Sequence, residues 1–152
     1  MNPSPQSRAA ATACRAVTRI KNLRLRTFIG FNPDERTKQQ DVVVNAEIHH
    51  RPTAAALNDD VSGALDYKVI TKRIIGHTEG GRFLLLEKLA GDLLDICTAD
   101  PAVTRAAVTV DKPNALRFAD SVSVTLEFEK THGQTTIGES HEERRRPLSK
   151  AS

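Results

Sequence analysis

Tryptophan is absent from this 152-residue sequence, tyrosine occurs once, and aromatic residues make up only 4%. Stacking platforms for single-stranded nucleic acid are therefore scarce. Cysteine is nearly as sparse: Cys14 and Cys97 lie far apart with no C-x-x-C spacing, so neither a disulfide framework nor a zinc site is indicated. Uninterrupted apolar runs are a few residues long, as at 42–44 and 83–86, far short of the ~20 that a bilayer span needs. The small residues at 9–14 follow a polar, Pro-containing start and are cut off by Arg15, too soon for the apolar region of a signal peptide. Neither a glycine-rich phosphate loop nor a dinucleotide fingerprint occurs. These absences lead to the expectation of a cytoplasmic protein without membrane contact, with Cys97 a small core hydrophobe.

What remains is an ordinary globular composition, 39% hydrophobic and 27% charged, in a length that favours one domain with a substantial core. The net charge of +3 is unevenly spread. Residues 1–16 hold two basic and no acidic side chains, and residues 130–152 hold five basic and three acidic ones; residues 17–129 hold 15 basic and 16 acidic. The basic character belongs to the ends, which speaks against nucleic acid as the partner of the folded part. Both ends also lack apolar periodicity, so 1–16 and 130–152 are expected to be disordered tails around a domain at 17–129, with the arginines at 144–146 part of a solvated tail.

Within that domain the hydrophobic period changes twice. Leu23 and Leu25 alternate with Arg24 and Arg26, and Val42, Val44, Ala46 and Ile48 share one face opposite polar neighbours, which reads as two half-buried strands. The connection from Thr27 to Gln40, through Gly30, Asn32 and Pro33, is long enough to be a functional loop. Tyr67, Ile70, Ile74 and His77 then recur at helical spacing, with Asp66 as N-cap and Gly80-Gly81 as stop. A second stripe, Leu86, Leu89, Ala90, Leu93 and Cys97, predicts a helix from near Leu84 that ends before Pro101. Alternation returns at Ala106, Val108 and Val110, and again at Val122, Val124, Leu126 and Phe128. The order ββααββ predicts an α+β fold, a four-stranded antiparallel sheet with both helices on its apolar side. Its other face is polar, either solvated or lining a lumen, and closing several copies into a ring would remove the two open edges.

Few titratable groups stand out. Glu87 follows three leucines and falls in the first turn of the second helix, where a carboxylate can face a planar donor edge, although acids are favoured at helix N-termini in any case. Lys112 ends a strand beside Pro113, among apolar neighbours, where an amine can exchange protons; a plain surface lysine is the alternative. Tyr67 offers a phenol at a helix start, and Glu35 lies in the long first loop with no periodic explanation. His49 and His50 are adjacent on a strand and point to opposite faces, so they do not chelate together.

Four segments, Ile29-Gly30 with Glu35, Leu65-Asp66-Tyr67, Leu85-Leu86-Glu87-Lys88-Leu89 and Asp111-Lys112-Pro113, together resemble the dihydroneopterin aldolase family. The resemblance covers about residues 17–129. The stretches 21–30 (KNLRLRTFIG), Arg82-Phe83 and 115–123 (ALRFADSVS) are most similar to the branch of that family that epimerises dihydroneopterin triphosphate. The resemblance implies the tunnelling fold (T-fold), a ring of four chains whose sheets close a barrel, two rings stacking into an octamer, and an active site between chains, with Glu87 and Lys112 from one and Tyr67 and Glu35 from the next. It further implies that Glu87 anchors a pterin by two parallel hydrogen bonds, Leu86 adds backbone contacts, Lys112 and Tyr67 move protons, and Glu35 orients side-chain hydroxyls. The implied chemistry is a reversible retro-aldol reaction that needs no metal, cofactor or Schiff base. A triphosphate tail would need cations, with Arg26, Arg82 and Arg117 as candidates beside Arg24 and Lys72. An aldolase of the same fold is the alternative, followed by a non-catalytic pterin-binding protein.

Overall fold

Alternation of small and branched side chains builds the sheet strand by strand, and the computed structural model describes it over residues 14–131. The expected tails lie outside the described residues except for their innermost positions, and so do the arginines at 144–146. Elements run β1 (Ala16–Ile29), β2 (Gln40–His50), α1 (Ala54–Leu57), a 3-10 turn (Val61–Gly63), α2 (Tyr67–Glu79), β3 (Arg82–Phe83), α3 (Leu86–Cys97), β4 (Val103–Pro113) and β5 (Ser121–Glu129). All six expected elements are present. The sheet has the order β3-β1-β2-β4-β5, with antiparallel pairing except for the two-residue β3, which runs parallel to β1. That fifth strand and the four-residue α1 are too short to leave a hydrophobic period, which is why sequence patterning misses them.

β1 is longer than its visible alternation because it contains a bulge. Ile20 pairs with Ala46 and Leu23 with Val44, so Lys21 and Asn22 together face the single residue Asn45. Asn22 takes φ of 53°, a left-handed conformation that asparagine tolerates. Its N–H donates to Asn45 Oδ1 at 2.9 Å. The extra residue keeps Ile20 and Leu23 on the same face despite their odd spacing, preserving one apolar side along 14 residues.

Both long helices cover that side. Asp66 caps α2 by accepting from the N–H groups of Lys68 and Val69, each at 3.1 Å, and the helix stops at Gly80. Ile70 and Ile74 of α2, Leu89 and Leu93 of α3, Val42, Val44 and Ile48 of β2, and Val108 and Val110 of β4 form one buried cluster. Burial pushes the Cys97 thiol up to about 11, so it stays neutral within that core. The uncovered face carries Arg19 paired with Glu47 and Arg26 paired with Asp41. His49 lies on it beside Glu47, whereas His50 on the opposite face shares a 3.0 Å hydrogen bond with Thr18. Among the described residues no helix is long and apolar enough to cross a membrane.

Leu93 is fully buried between α3 and the sheet. Leu93→Ala is expected to lower unfolding free energy by about 2 to 5 kcal/mol. Urea denaturation followed by circular dichroism measures it.

Candidate active site

At one end of the sheet, β1 leaves its ladder at Gly30, whose φ of +122° suits glycine. The Gly30 N–H donates to the Phe83 carbonyl at 3.0 Å, extending the parallel register that sets Phe28 against Arg82 and Ile29 against Phe83. The absence of a side chain there has a second use: the carboxyl of Glu35 occupies the space that a Cβ on Gly30 would take. Glu35 reaches it from a turn in which the Arg36 N–H donates to the Asn32 and Pro33 carbonyls.

Lys112 arrives from β4. It follows Val108 and Val110 on the helix-covered face, and its ammonium forms an ion pair and hydrogen bond with Glu35 Oε2. The two side chains are only 12% and 18% exposed. Gln40, the first residue of β2, donates from Nε2 both to Glu35 Oε2 at 3.0 Å and to the Ile29 carbonyl at 2.7 Å. The hydrogen bond from Lys112, reinforced by the one from Gln40, holds the Glu35 carboxyl below its ordinary value against the opposing effect of burial. Thus Glu35 pairs with Lys112 of its own chain, whereas the family resemblance implies Glu35 from a neighbouring one.

Glu87 stands at the second position of α3, four residues after Phe83 at the end of β3. It is exposed. The helix N-cap is Leu85, which makes no side-chain capping bond, so the first turn presents backbone N–H groups beside a free carboxylate. Leu84 and Leu85 are 57% and 50% exposed and Leu86 is half-buried. A carboxylate bordered by uncovered leucines suits a flat heterocycle with an N–H edge.

Tyr67 is elsewhere. It is the first residue of α2, is 55% exposed, and its hydroxyl has no hydrogen-bond partner among the described residues. The opposite end of α2 abuts β1, where the Thr27 hydroxyl donates to the Gly81 carbonyl. Thirteen helical residues put Tyr67 about 20 Å from that end. The expected site residues therefore divide within one chain: Glu35 and Lys112 touch, Glu87 follows the strand that anchors Gly30, and Tyr67 stands apart from the pair.

The candidate cations also divide. Arg26 is occupied by Asp41 at 2.7 Å and the Gln39 carbonyl at 3.0 Å. Arg117, in the β4–β5 connection, lies 5.7 Å from the Phe118 ring. Arg82 packs 3.8 Å over the Phe28 ring and donates from Nη1 to the Arg36 carbonyl at 3.1 Å. With Gly30, Glu35 and Arg36 it borders a cleft of about 150 Å³. Sequence patterning singles out neither Gln40 nor Arg36. Both lie in polar runs without periodicity, and only the folded turn brings them beside Glu35.

A family model described as dihydroneopterin aldolase matches residues 18–127. The chain is 50% identical over 115 residues to dihydroneopterin triphosphate 2'-epimerase of Escherichia coli K12, covering 76% of this chain and 96% of that protein. It is 32% identical over 108 residues to dihydroneopterin aldolase of the same organism, covering 71% and 88%. The crystal structure of Escherichia coli dihydroneopterin aldolase in complex with neopterin superposes with a TM-score of 0.70 at 30% identity, over 74% of this chain and 98% of that one.

The lowered Glu35 value has a consequence in acid. A carboxyl held below its ordinary 4.5 contributes stability that is full above the unfolded value and lost as pH falls through the folded one. Glu35→Gln should flatten the acid limb of the stability profile below about pH 4.5. An unchanged limb in urea titrations across pH would contradict the pair's contribution.

Proposed function

The chain belongs to the dihydroneopterin aldolase family, and we propose that within it this protein is a dihydroneopterin triphosphate 2'-epimerase, interconverting 7,8-dihydroneopterin triphosphate and 7,8-dihydromonapterin triphosphate. The observation that carries this reading is the markedly higher identity to the epimerase than to the aldolase over nearly the same span. The protein is an enzyme whose relatives perform both activities.

The proposed route begins with Glu87. Its carboxylate accepts two parallel hydrogen bonds from the pterin amino group and adjacent ring N–H, fixing the ring against Leu86. Tyr67 of a neighbouring chain takes the proton of the 2'-hydroxyl. The bond between the first and second side-chain carbons then breaks, its electron pair passes into the dihydropterin ring, and a short aldehyde forms. Lys112 manages the proton at the ring nitrogen next to the side chain. Glu35, which receives Lys112 and Gln40 on one carboxylate oxygen, positions the lysine and leaves the other oxygen to meet a substrate hydroxyl. Re-addition through the other face of the aldehyde gives the 2'-epimer, whereas escape of the aldehyde gives the aldolase product. No metal or Schiff base enters this route.

The separation of Tyr67 from the Glu35–Lys112 pair supports a site completed by a second chain. We assign it to a ring of four chains, closed through the open sheet edges, with two rings forming an octamer.

Incubation with dihydroneopterin triphosphate and with dihydroneopterin tests the activity. Accumulation of the epimer is expected; hydroxymethyl-dihydropterin as the sole product would make the protein an aldolase. Glu87→Ala should weaken pterin binding by about 2 to 4 kcal/mol, read as KM, whereas Lys112→Ala should lower kcat. Subunit mixing tests the shared site: Tyr67→Phe and Lys112→Ala oligomers, each impaired, should regain activity after mixed refolding, and a mixture no better than its parents argues against sites between chains.

A further inference from the structure

Resting on the epimerase reading, the geometry points to Arg36 and Arg82 as the subsite that receives the polyphosphate tail and selects the phosphorylated pterin. Both border the cleft that contains Glu35, and both are exposed. Neither forms an ion pair among the described residues, while the one acid bordering the cleft, Glu35, is already neutralised by Lys112. The cleft therefore holds two uncompensated guanidinium charges beside the carboxylate assigned to the substrate's side-chain hydroxyls. In the substrate, those hydroxyls lead directly to the phosphates.

Arg82 is prepared for this work. Stacking over Phe28 holds its plane, and the bond to the Arg36 carbonyl uses one of its five donors. A guanidinium oriented in this way loses little freedom when it meets phosphate oxygens. The same bond ties its position to the turn that carries Arg36 and Glu35.

Other cations are worse placed. Arg26 is committed to Asp41 and a carbonyl, and Arg24 shares a groove with Asp41 and Glu79, whose charges oppose an anion. Arg117 does not border the Glu35 cleft.

The test compares kcat/KM for dihydroneopterin triphosphate with that for unphosphorylated dihydroneopterin in the full-length protein, and measures binding of inorganic tripolyphosphate by calorimetry. Arg36→Ala, Arg36→Glu and Arg82→Gln should each reduce the preference for the triphosphate, by about tenfold or more for the charge reversal. Each should also weaken tripolyphosphate binding, while Arg82→Lys, which keeps the charge, should retain part of both. Equal losses on the two substrates would reduce these arginines to scaffolding, and an unchanged preference would place the phosphates elsewhere; either result overturns the subsite. If the wild-type protein yields only the aldolase product, the epimerase reading fails. Tripolyphosphate binding that depends on Arg36 and Arg82 would then still support the anion site, and binding indifferent to them would overturn it.

Discussion

The ion pair between Glu35 and Lys112 is the contact on which the site's architecture turns. It joins residues 77 positions apart, one from the turn after β1 and one from the end of β4, under little solvent. A pair so sheltered contributes less through net Coulomb attraction than through the heavy penalty for separating its members. Gln40 adds a second donor and ties the carboxylate to the Ile29 carbonyl. Three strands are thus registered at one end by a single carboxylate. The missing side chain of Gly30 makes room for it.

From that end the fold distributes the remaining groups. β3, though only two residues long, pairs with β1 and receives the Gly30 N–H, which sets the origin of α3 and with it Glu87. A further brace links the helices, where Asp92 of α3 accepts from His77 of α2 at 2.8 Å and from Lys88 at 2.9 Å. The His77 ring lies 5.6 Å from that of Phe83, so the end of α2 and the start of α3 close on the same strand. Tyr67, at the other end of α2, is left uncovered, and its hydroxyl has no hydrogen-bond partner among the described residues.

Local pattern made much of this legible. The two apolar stripes, the Asp66 cap and the alternating segments are properties of neighbours along the chain. Glu35, Glu87, Lys112 and Tyr67 stand out by their positions along the chain, but each has an ordinary alternative as surface charge or helix-end residue, and their roles come only from the resemblance of their segments to a family. Their grouping was not legible. The pairing of Glu35 with Lys112 within one chain, the occupation of Arg26 by Asp41, and the roles of Gln40 and Arg36 depend on turn geometry that polar, aperiodic residues do not announce.

By itself the sequence determined the α+β class, the order of its long elements and the face each buries, because periods of 2 and 3.6 follow from backbone geometry one residue at a time. Tertiary structure alone decided which charges meet. A strand shifted by one residue turns every side chain to the opposite face, and the bulge at Lys21 and Asn22 makes such a correction within β1. The meeting of Glu35 and Lys112 therefore follows from accumulated register and a left-handed turn at Gly30, quantities that exist only once the strands are paired.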